Sequence, residues 1–342
     1  MNFTYLHTPS FVATALHLMT CIEVPVHIFG TYCILLRTPS SMSSVKWSML
    51  NLHFWSISMD LGVSLLTSPF VLFPAIAGFP LGVLKEFGVS TLAQIYLIVS
   101  LFATVGAAIV TIFENRFYLL FGEHTWWRKV RAPFLAMNYV LAFTFFIPPC
   151  FQIPEQRYAL EQIYQQLPEL PSHVYQSPVF VLTLDITYSF VSVFCVTVFM
   201  IIEVLVFKSL LFRNMKKRVN QMTLSQKTFD LQKKFLRAVH IQIYTPLVIL
   251  IFPLSYIGLC IFFSLYNQAF NNICFVTLAF HGLSSTVVML LIHRPYRDVC
   301  IEIFCLRIAK ASNKTSPIAF SRRNTELSGG VSHFVKNNNN VL

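Results

Sequence analysis

Asp60 is the residue most capable of chemistry in this 342-residue chain, because it stands inside an apolar run among Ser56, Ser58 and Ser64. Ser56 and Ser64 are each four residues from it and share its face if the segment is helical. A carboxylate in such surroundings either holds a proton or a cation and couples neighbouring segments, or is a hydrogen-bonded structural aspartate. Glu23 and His27 are one helical turn apart near Pro25. They read as a charge-assisted pair or as a local structural pair that docks the first segment. Asp185 is followed at helical spacing by Ser189 and Ser192, and His281 has Thr277 one turn away. Each set would suit a polar or cationic ligand, or would be polar residues near an interface. Glu203 is expected to snorkel toward Lys208. The chain carries no G-x-S-x-G, H-E-x-x-H or P-loop pattern, and its His and Cys residues lack metal-ligand spacing. Catalysis, a cofactor and a metal are therefore not expected.

The surroundings of these residues come from composition. The chain is 55% hydrophobic and 11% charged, with a mean hydropathy of +0.63, whereas soluble domains carry about 25% charged residues. Seven stretches are long enough to cross a bilayer as helices: 11–36, 47–69, 90–113, 132–151, 178–207, 238–264 and 272–292, with the second running on toward Pro74. Alternation suited to a membrane barrel is absent. The first stretch is too long for a signal-peptide core and reads as a retained span.

Orientation follows from basic residues in the connections. Of the 25 Lys and Arg, all but Lys85 and Arg157 fall in alternate connections and the tail. That pattern puts the N-terminus outside and the C-terminus in the cytoplasm. The sequence His293-Arg294-Pro295-Tyr296-Arg297 then ends span seven, with its arginines at anionic headgroups and Tyr296 as an interfacial aromatic. Basic residues that punctuate apolar runs speak for anionic membrane lipid and against nucleic acid. The expected fold is an all-α membrane protein, a seven-transmembrane helix bundle over 1–310 with a disordered cytoplasmic tail over 311–342. Transporters commonly show repeated halves, and none is visible here.

In this order of spans the sequence resembles the nematode serpentine chemoreceptors of class H. The resemblance covers about residues 8–305. It is carried by L-N-L-H-F-W-S-I-S-M-D-L (50–61), I-F-E-N-R-F-Y-L-L-F (112–121), R-A-P-F-L-A-M-N-Y-V-L-A-F (131–143), F-F-I-P-P-C-F-Q-I-P-E-Q (145–156), L-S-Q-K-T-F-D-L-Q-K-K-F-L-R-A (224–238) and A-F-H-G-L-S-S-T-V-V-M-L-L-I-H-R-P-Y-R (279–297). It implies a G-protein-coupled receptor in the plasma membrane of chemosensory neurons, detecting an environmental small molecule.

Under that resemblance further residues gain roles. Rhodopsin-like receptors carry an acid–Arg–aromatic triplet at the inner end of span three. Here Asn115 separates Glu114 from Arg116 and Phe117 follows. A Glu114–Arg116 pairing would hold the inactive state and free Arg116 for the G protein; the alternative is a positive-inside anchor. Lys216, Lys217, Arg218, Lys233 and Lys234, on helical extensions of spans five and six, would meet the G protein together with Arg294 and Arg297, or anchor to anionic lipid. Cys300 and Cys305 are lipidation candidates or free thiols. Pro246 and Pro253 would let span six bend. The usual disulfide to the outer end of span three has no cysteine here, and Cys260 with Cys274 is a possible pair.

Overall fold

The computed structural model describes residues 5–167, 170–220 and 225–303, without the side chains at 41, 228, 231, 232 and 235. Cys305 and the tail over 311–342 lie outside those residues. The chain divides into one unit over Met1–Cys300 and a second over Ile301–Leu342. In chain order the elements of the first unit are helices α1 (Pro9–Leu36) and α2 (Ser43–Leu61), strands β1 (Pro69–Val71) and β2 (Ile76–Pro80), helices α3 (Val83–Glu86), α4 (Thr91–Phe117), α5 (Trp127–Thr144), α6 (Ile147–Cys150), α7 (Gln156–Gln166) and α8 (Ser172–Tyr175), strand β3 (Phe180–Thr183), and helices α9 (Thr187–Asn220), α10 (Gln226–Phe263) and α11 (Gln268–Ile292). Residues 294–300 are again helical.

Side-chain caps start several of these helices. Thr8 accepts from the amide of Phe11 ahead of α1, Ser90 from Ala93 ahead of α4, and Asn267 from Phe270 ahead of α11. Among the described residues six helices are long and apolar enough to cross a membrane: Pro9–Leu36, Thr91–Gly122, Trp127–Cys150, Thr187–Asn220, Leu236–Phe263 and Gln268–Ile292. The second expected span, α2, falls below that mark because it carries a polar face, and that face is buried: Ser48, His53, Ser56 and Asp60 all point into the protein.

α4 is the central helix and packs against α2, α5 and α9. A Cβ at Gly106 would run into the sulfur of Met200, so the glycine leaves room for that side chain of α9 against α4. α9 buries one stripe, Val196, Met200, Glu203, Phe207, Leu211 and Met215, at three- and four-residue spacing. Its other faces expose Phe190, Phe194, Ile201, Ile202 and Leu205, as a helix in contact with lipid should. α10 packs mainly on α11.

Two expected spans end differently. The second stops at Thr67, where the helix widens over Gly62–Thr67 and Ser68 takes a left-handed φ of 41°. The chain then enters β1. The fifth starts at Thr187 because residues 180–183 form β3, and it runs on to Asn220. The all-α expectation therefore misses a three-stranded antiparallel sheet in the order β1-β2-β3, pairing Pro69 with Pro80 and Ile76 with Thr183. Both errors have one cause. Short apolar runs such as Pro69-Phe70-Val71 and Phe180-Val181-Leu182 lengthen a hydropathic stretch whether they are helix or strand.

The sheet closes one end of the bundle, called the sheet end below; the opposite end carries the basic residues. Phe70, Leu72, Phe79, Ile163, Val174 and Val181 form an apolar cluster there with Val12 and Leu16 of α1. Polar side chains of α11 tie the cap down. Gln268 donates to the carbonyl of Val71 (3.1 Å), Asn271 to that of Phe73 (3.0 Å) and Asn272 to that of Leu6 (2.7 Å). Gln156 at the start of α7 grips β3 from both sides, with Nε2 to the Val181 carbonyl (3.0 Å) and the Val181 amide to Oε1 (2.9 Å). Replacing Gln156 with Ala removes both bonds and is expected to destabilise the protein by about 1–3 kcal/mol. Thermal unfolding in lipid nanodiscs checks this; an unchanged midpoint would mean that the clamp contributes nothing.

Candidate functional site

The strongest cluster of ionisable groups lies where α1, α2 and α11 meet. Asp60 is fully buried. Its Oδ2 is 3.0 Å from Nε2 of His27 on α1, and its Oδ1 accepts from the backbone amide of Gly282 on α11 at 3.1 Å. The other ring nitrogen of His27 lies 3.0 Å from the Thr286 hydroxyl of α11. One carboxylate and one imidazole thus join three helices. His53 of α2 adds a contact from Nε2 to the His27 carbonyl at 3.2 Å. Next to this set, Ser64 donates to Oε2 of Glu23 at 2.9 Å and accepts from Thr20 at 2.9 Å.

Glu23 and His27 therefore do not bond to each other as a local pair. His27 reaches across to α2 and Glu23 to the widened turn that continues it, so the four-residue spacing serves two separate contacts. Ser56 and Ser64 are buried on the face of Asp60, yet the Ser64 hydroxyl goes to Glu23.

Gly282 is required by this geometry. A Cβ there would coincide with the carboxylate of Asp60. Gly282→Ala is expected to destabilise the protein by about 1–3 kcal/mol or more through overpacking, and to reduce the amount at the cell surface. A variant that melts with the wild type would show that α11 can shift away from α2 without loss.

A second network sits at the basic end. Glu114 of α4 has a fully buried side chain and pairs with Arg131 of α5, Nε to Oε2, at 3.0 Å. Trp127 Nε1 donates to Oε1 of Glu114 at 2.8 Å, and Arg131 Nη2 donates to Oδ1 of Asn115 at 2.8 Å. The Arg131 guanidinium also lies 4.2 Å from the ring centroid of Tyr118. Asn115 in turn reaches the Ser44 carbonyl of α2 at 3.2 Å. The expected Glu114–Arg116 pairing is thus replaced by Glu114–Arg131. Residues two apart on a helix point to different sides, and the acid meets an arginine of the next helix instead. Arg116 is itself buried.

Further along at the same end, His293 Nε2 lies 3.3 Å from Gln242 Oε1 of α10. Tyr296 is fully buried and its hydroxyl is 2.8 Å from that of Thr38. Tyr296 therefore anchors the 294–300 helix to the end of α1 and is not a surface aromatic. Lys216, Lys217, Arg218, Lys233, Lys234, Arg294 and Arg297 are all exposed. Arg218 lies over Phe121 at 4.8 Å, and Arg294 is 3.9 Å from Asp298.

A sequence model described as "Serpentine type 7TM GPCR chemoreceptor Srh" matches residues 7–306 of this chain. The chain belongs to the Srh family. Among similar proteins is serpentine receptor class H-72 of Caenorhabditis elegans, 24% identical over 290 residues that make up 83% of this chain and 82% of that one. The crystal structure of squid rhodopsin shares the fold at a TM-score of 0.50 and 9% identity, over 93% of this chain and 94% of that one. The protein is thus a multi-pass membrane protein of a receptor family, built on the seven-helix bundle.

Within this Srh chain, the expected switch residues Asp60, Glu23 and His27 come together, and the expected ligand residues do not. Asp185 is exposed and precedes α9. It accepts from the Thr187 hydroxyl at 2.6 Å and the Thr187 amide at 2.9 Å, which hold its carboxyl below the usual range. It closes an Asx turn just ahead of the helix and does not line its face. Ser189 and Thr277 are half-buried, and His281 is buried beside Gly282. Glu203 does not snorkel; it is buried and meets Asn138 of α5 at 3.4 Å. Cys260 and Cys274 are buried free thiols and Cys300 is a half-buried one. The contributions of Arg131, Trp127, Asn138, Gly282 and Thr286 went unseen in the sequence. Arg131 and Trp127 had one available signal, since they are basic and aromatic residues at the start of the span that follows Glu114.

Proposed function

We propose that this protein is a chemosensory G-protein-coupled receptor of the plasma membrane of chemosensory neurons, with the sheet end outside and the basic end in the cytoplasm. It detects a small environmental molecule and signals to a heterotrimeric G protein. The observation that carries the reading is the presence of two buried polar networks at different levels of one bundle, Asp60–His27 and Glu114–Arg131. Buried polar contacts between helices suit a bundle with discrete arrangements, and a ligand shifts such an equilibrium only through its differential affinity for them. Family membership supports the same reading.

In this scheme Ser189, Thr277 and His281 face the ligand from α9 and α11. The Asp60, Glu23 and His27 cluster relays its presence. Glu114 and Arg116 sit behind a coupling surface made by Lys216, Lys217, Arg218, Lys233, Lys234, Arg294 and Arg297, which also meets anionic lipid. Cys300 and Cys305 are the sites for a lipid anchor.

The test is a calcium or cyclic-nucleotide reporter in cells expressing the chain with a promiscuous G protein, screened against an odorant library. The expected result is a response to a small molecule that disappears when the G protein is omitted. A ligand-gated current that persists without any G protein would overturn the reading in favour of a channel.

A further inference from the structure

Glu203 and Asn138 face each other between α9 and α5, and both are buried, at 9% and 1% exposure. The Asn138 amide nitrogen has two hydrogens. One goes to the Phe134 carbonyl at 3.2 Å and the other to Oε1 of Glu203 at 3.4 Å. That leaves two oxygens, Oδ1 of Asn138 and Oε2 of Glu203, both buried and both without a donor. The two groups are planar and already joined at one edge, so each orphaned oxygen belongs to the unjoined half of the same pair.

An ionised carboxylate has only acceptor oxygens, and so would leave both orphans unsatisfied. It would also rest on a single long bond from a neutral amide, although ions at membrane depth call for a charged or multiply bonded partner. Among the described residues no ion pair reaches Glu203, and the salt bridges that do form involve Asp60, Glu114, Glu161 and Asp298. One proton changes the balance. Placed on Oε2, it makes that oxygen a donor to Asn138 Oδ1, while Asn138 Nδ2 continues to donate to Oε1. Each oxygen then has a partner, in a cyclic acid–amide pair.

We infer that Glu203 is a proton-binding site between the fourth and fifth membrane helices, occupied in this arrangement, with Asn138 as its reading partner. The bound proton ties α9 to α5 through two hydrogen bonds. Without it the pair keeps one donor for three oxygens, and α9 is held there by its apolar stripe alone. α9 is also the helix that carries Lys216, Lys217 and Arg218 at its far end, so proton loss at Glu203 would loosen that helix from its neighbour.

Infrared spectra of the full chain in lipid nanodiscs at neutral pH test this directly. The wild-type minus Glu203→Gln difference is expected to show the C=O stretch of a protonated carboxylic acid. In Asn138→Leu the same band should persist and move to higher frequency, because the acid loses its acceptor. A wild-type minus Glu203→Gln difference that contains carboxylate bands instead would overturn the inference. Thermal unfolding supplies an independent readout that needs no spectral assignment. Glu203→Gln replaces the bound proton with an amide donor and should melt with the wild type, whereas Glu203→Leu leaves Asn138 unpaired and should melt lower. Equal loss in Glu203→Gln and Glu203→Leu would equally overturn the proposal.

Discussion

Asp60→Ala is expected to destabilise the protein by about 3–5 kcal/mol, the range for removing one partner of a buried ion pair. The change strips two donors at once, Nε2 of His27 at 3.0 Å and the Gly282 amide at 3.1 Å. The Gly282 amide sits inside α11 and keeps the ladder of that helix, so the loss falls chiefly on the His27 ring nitrogen, and an unsatisfied buried polar group carries its full desolvation penalty. Against a total stability of about 5–15 kcal/mol, about a fifth or more would be lost. Surface expression should fall with it. Asp60→Asn separates charge from connectivity. Its Oδ1 still accepts from Gly282, and its amide can donate to His27 Nε2 if the ring moves its proton to Nδ1, which then donates to the Thr286 hydroxyl already 3.0 Å away. All partners stay paired, so Asp60→Asn should melt within a few degrees of the wild type and Asp60→Ala far below it. Paired thermal melts in nanodiscs decide the matter. If Asp60→Ala also melts with the wild type, the joint between α1, α2 and α11 is held by packing and the buried cluster is energetically idle.

How much of this was visible beforehand depends on the range of each contact. The spans were legible because hydropathy acts locally, and Asp60 was legible because any carboxylate inside such a span is costly. Its partners were not, since they lie 33 and 222 residues away and nothing in the local pattern names them. Glu23 and His27 show how proximity misleads. Side chains four apart on a helix share a face, and when that face meets a polar neighbour both reach outward to it in place of each other. The sheet had its own signals in Pro69, Pro74, Gly78 and Pro80, which break helices, but the apolar residues between them read equally well as the end of a span. Gly78 shows the physical reason for one of them, because a Cβ there would collide with the backbone of Phe70 across the ladder. Glu203 was misjudged because its distance from Lys208 along the chain was visible and the position of Asn138 was not.

Arg131→Ala should be the most damaging change at the basic end. Arg131 is the cation for a glutamate whose side chain is fully buried, and the pair is 3.0 Å apart. Its removal leaves Glu114 with the Trp127 indole donor alone and frees Oδ1 of Asn115. A loss of about 3–5 kcal/mol is expected, as for other buried pairs broken from one side. Arg131→Lys should recover little of it. One ammonium cannot bond Glu114 Oε2 and Asn115 Oδ1 in the fixed fork of a guanidinium while lying flat over Tyr118. The informative variant is the double change Glu114→Leu with Arg131→Ala, which removes the charge that the single change strands. If the network works as the geometry implies, the double variant is more stable than Arg131→Ala alone, and the double-mutant cycle gives a coupling well above the about 0–1 kcal/mol of an exposed ion pair. A coupling inside that small range would mean that Glu114 reaches water in solution. α4 and α5 would then be joined at this end by the aromatic contact of Phe117 with Trp127, whose ring centroids are 6.5 Å apart.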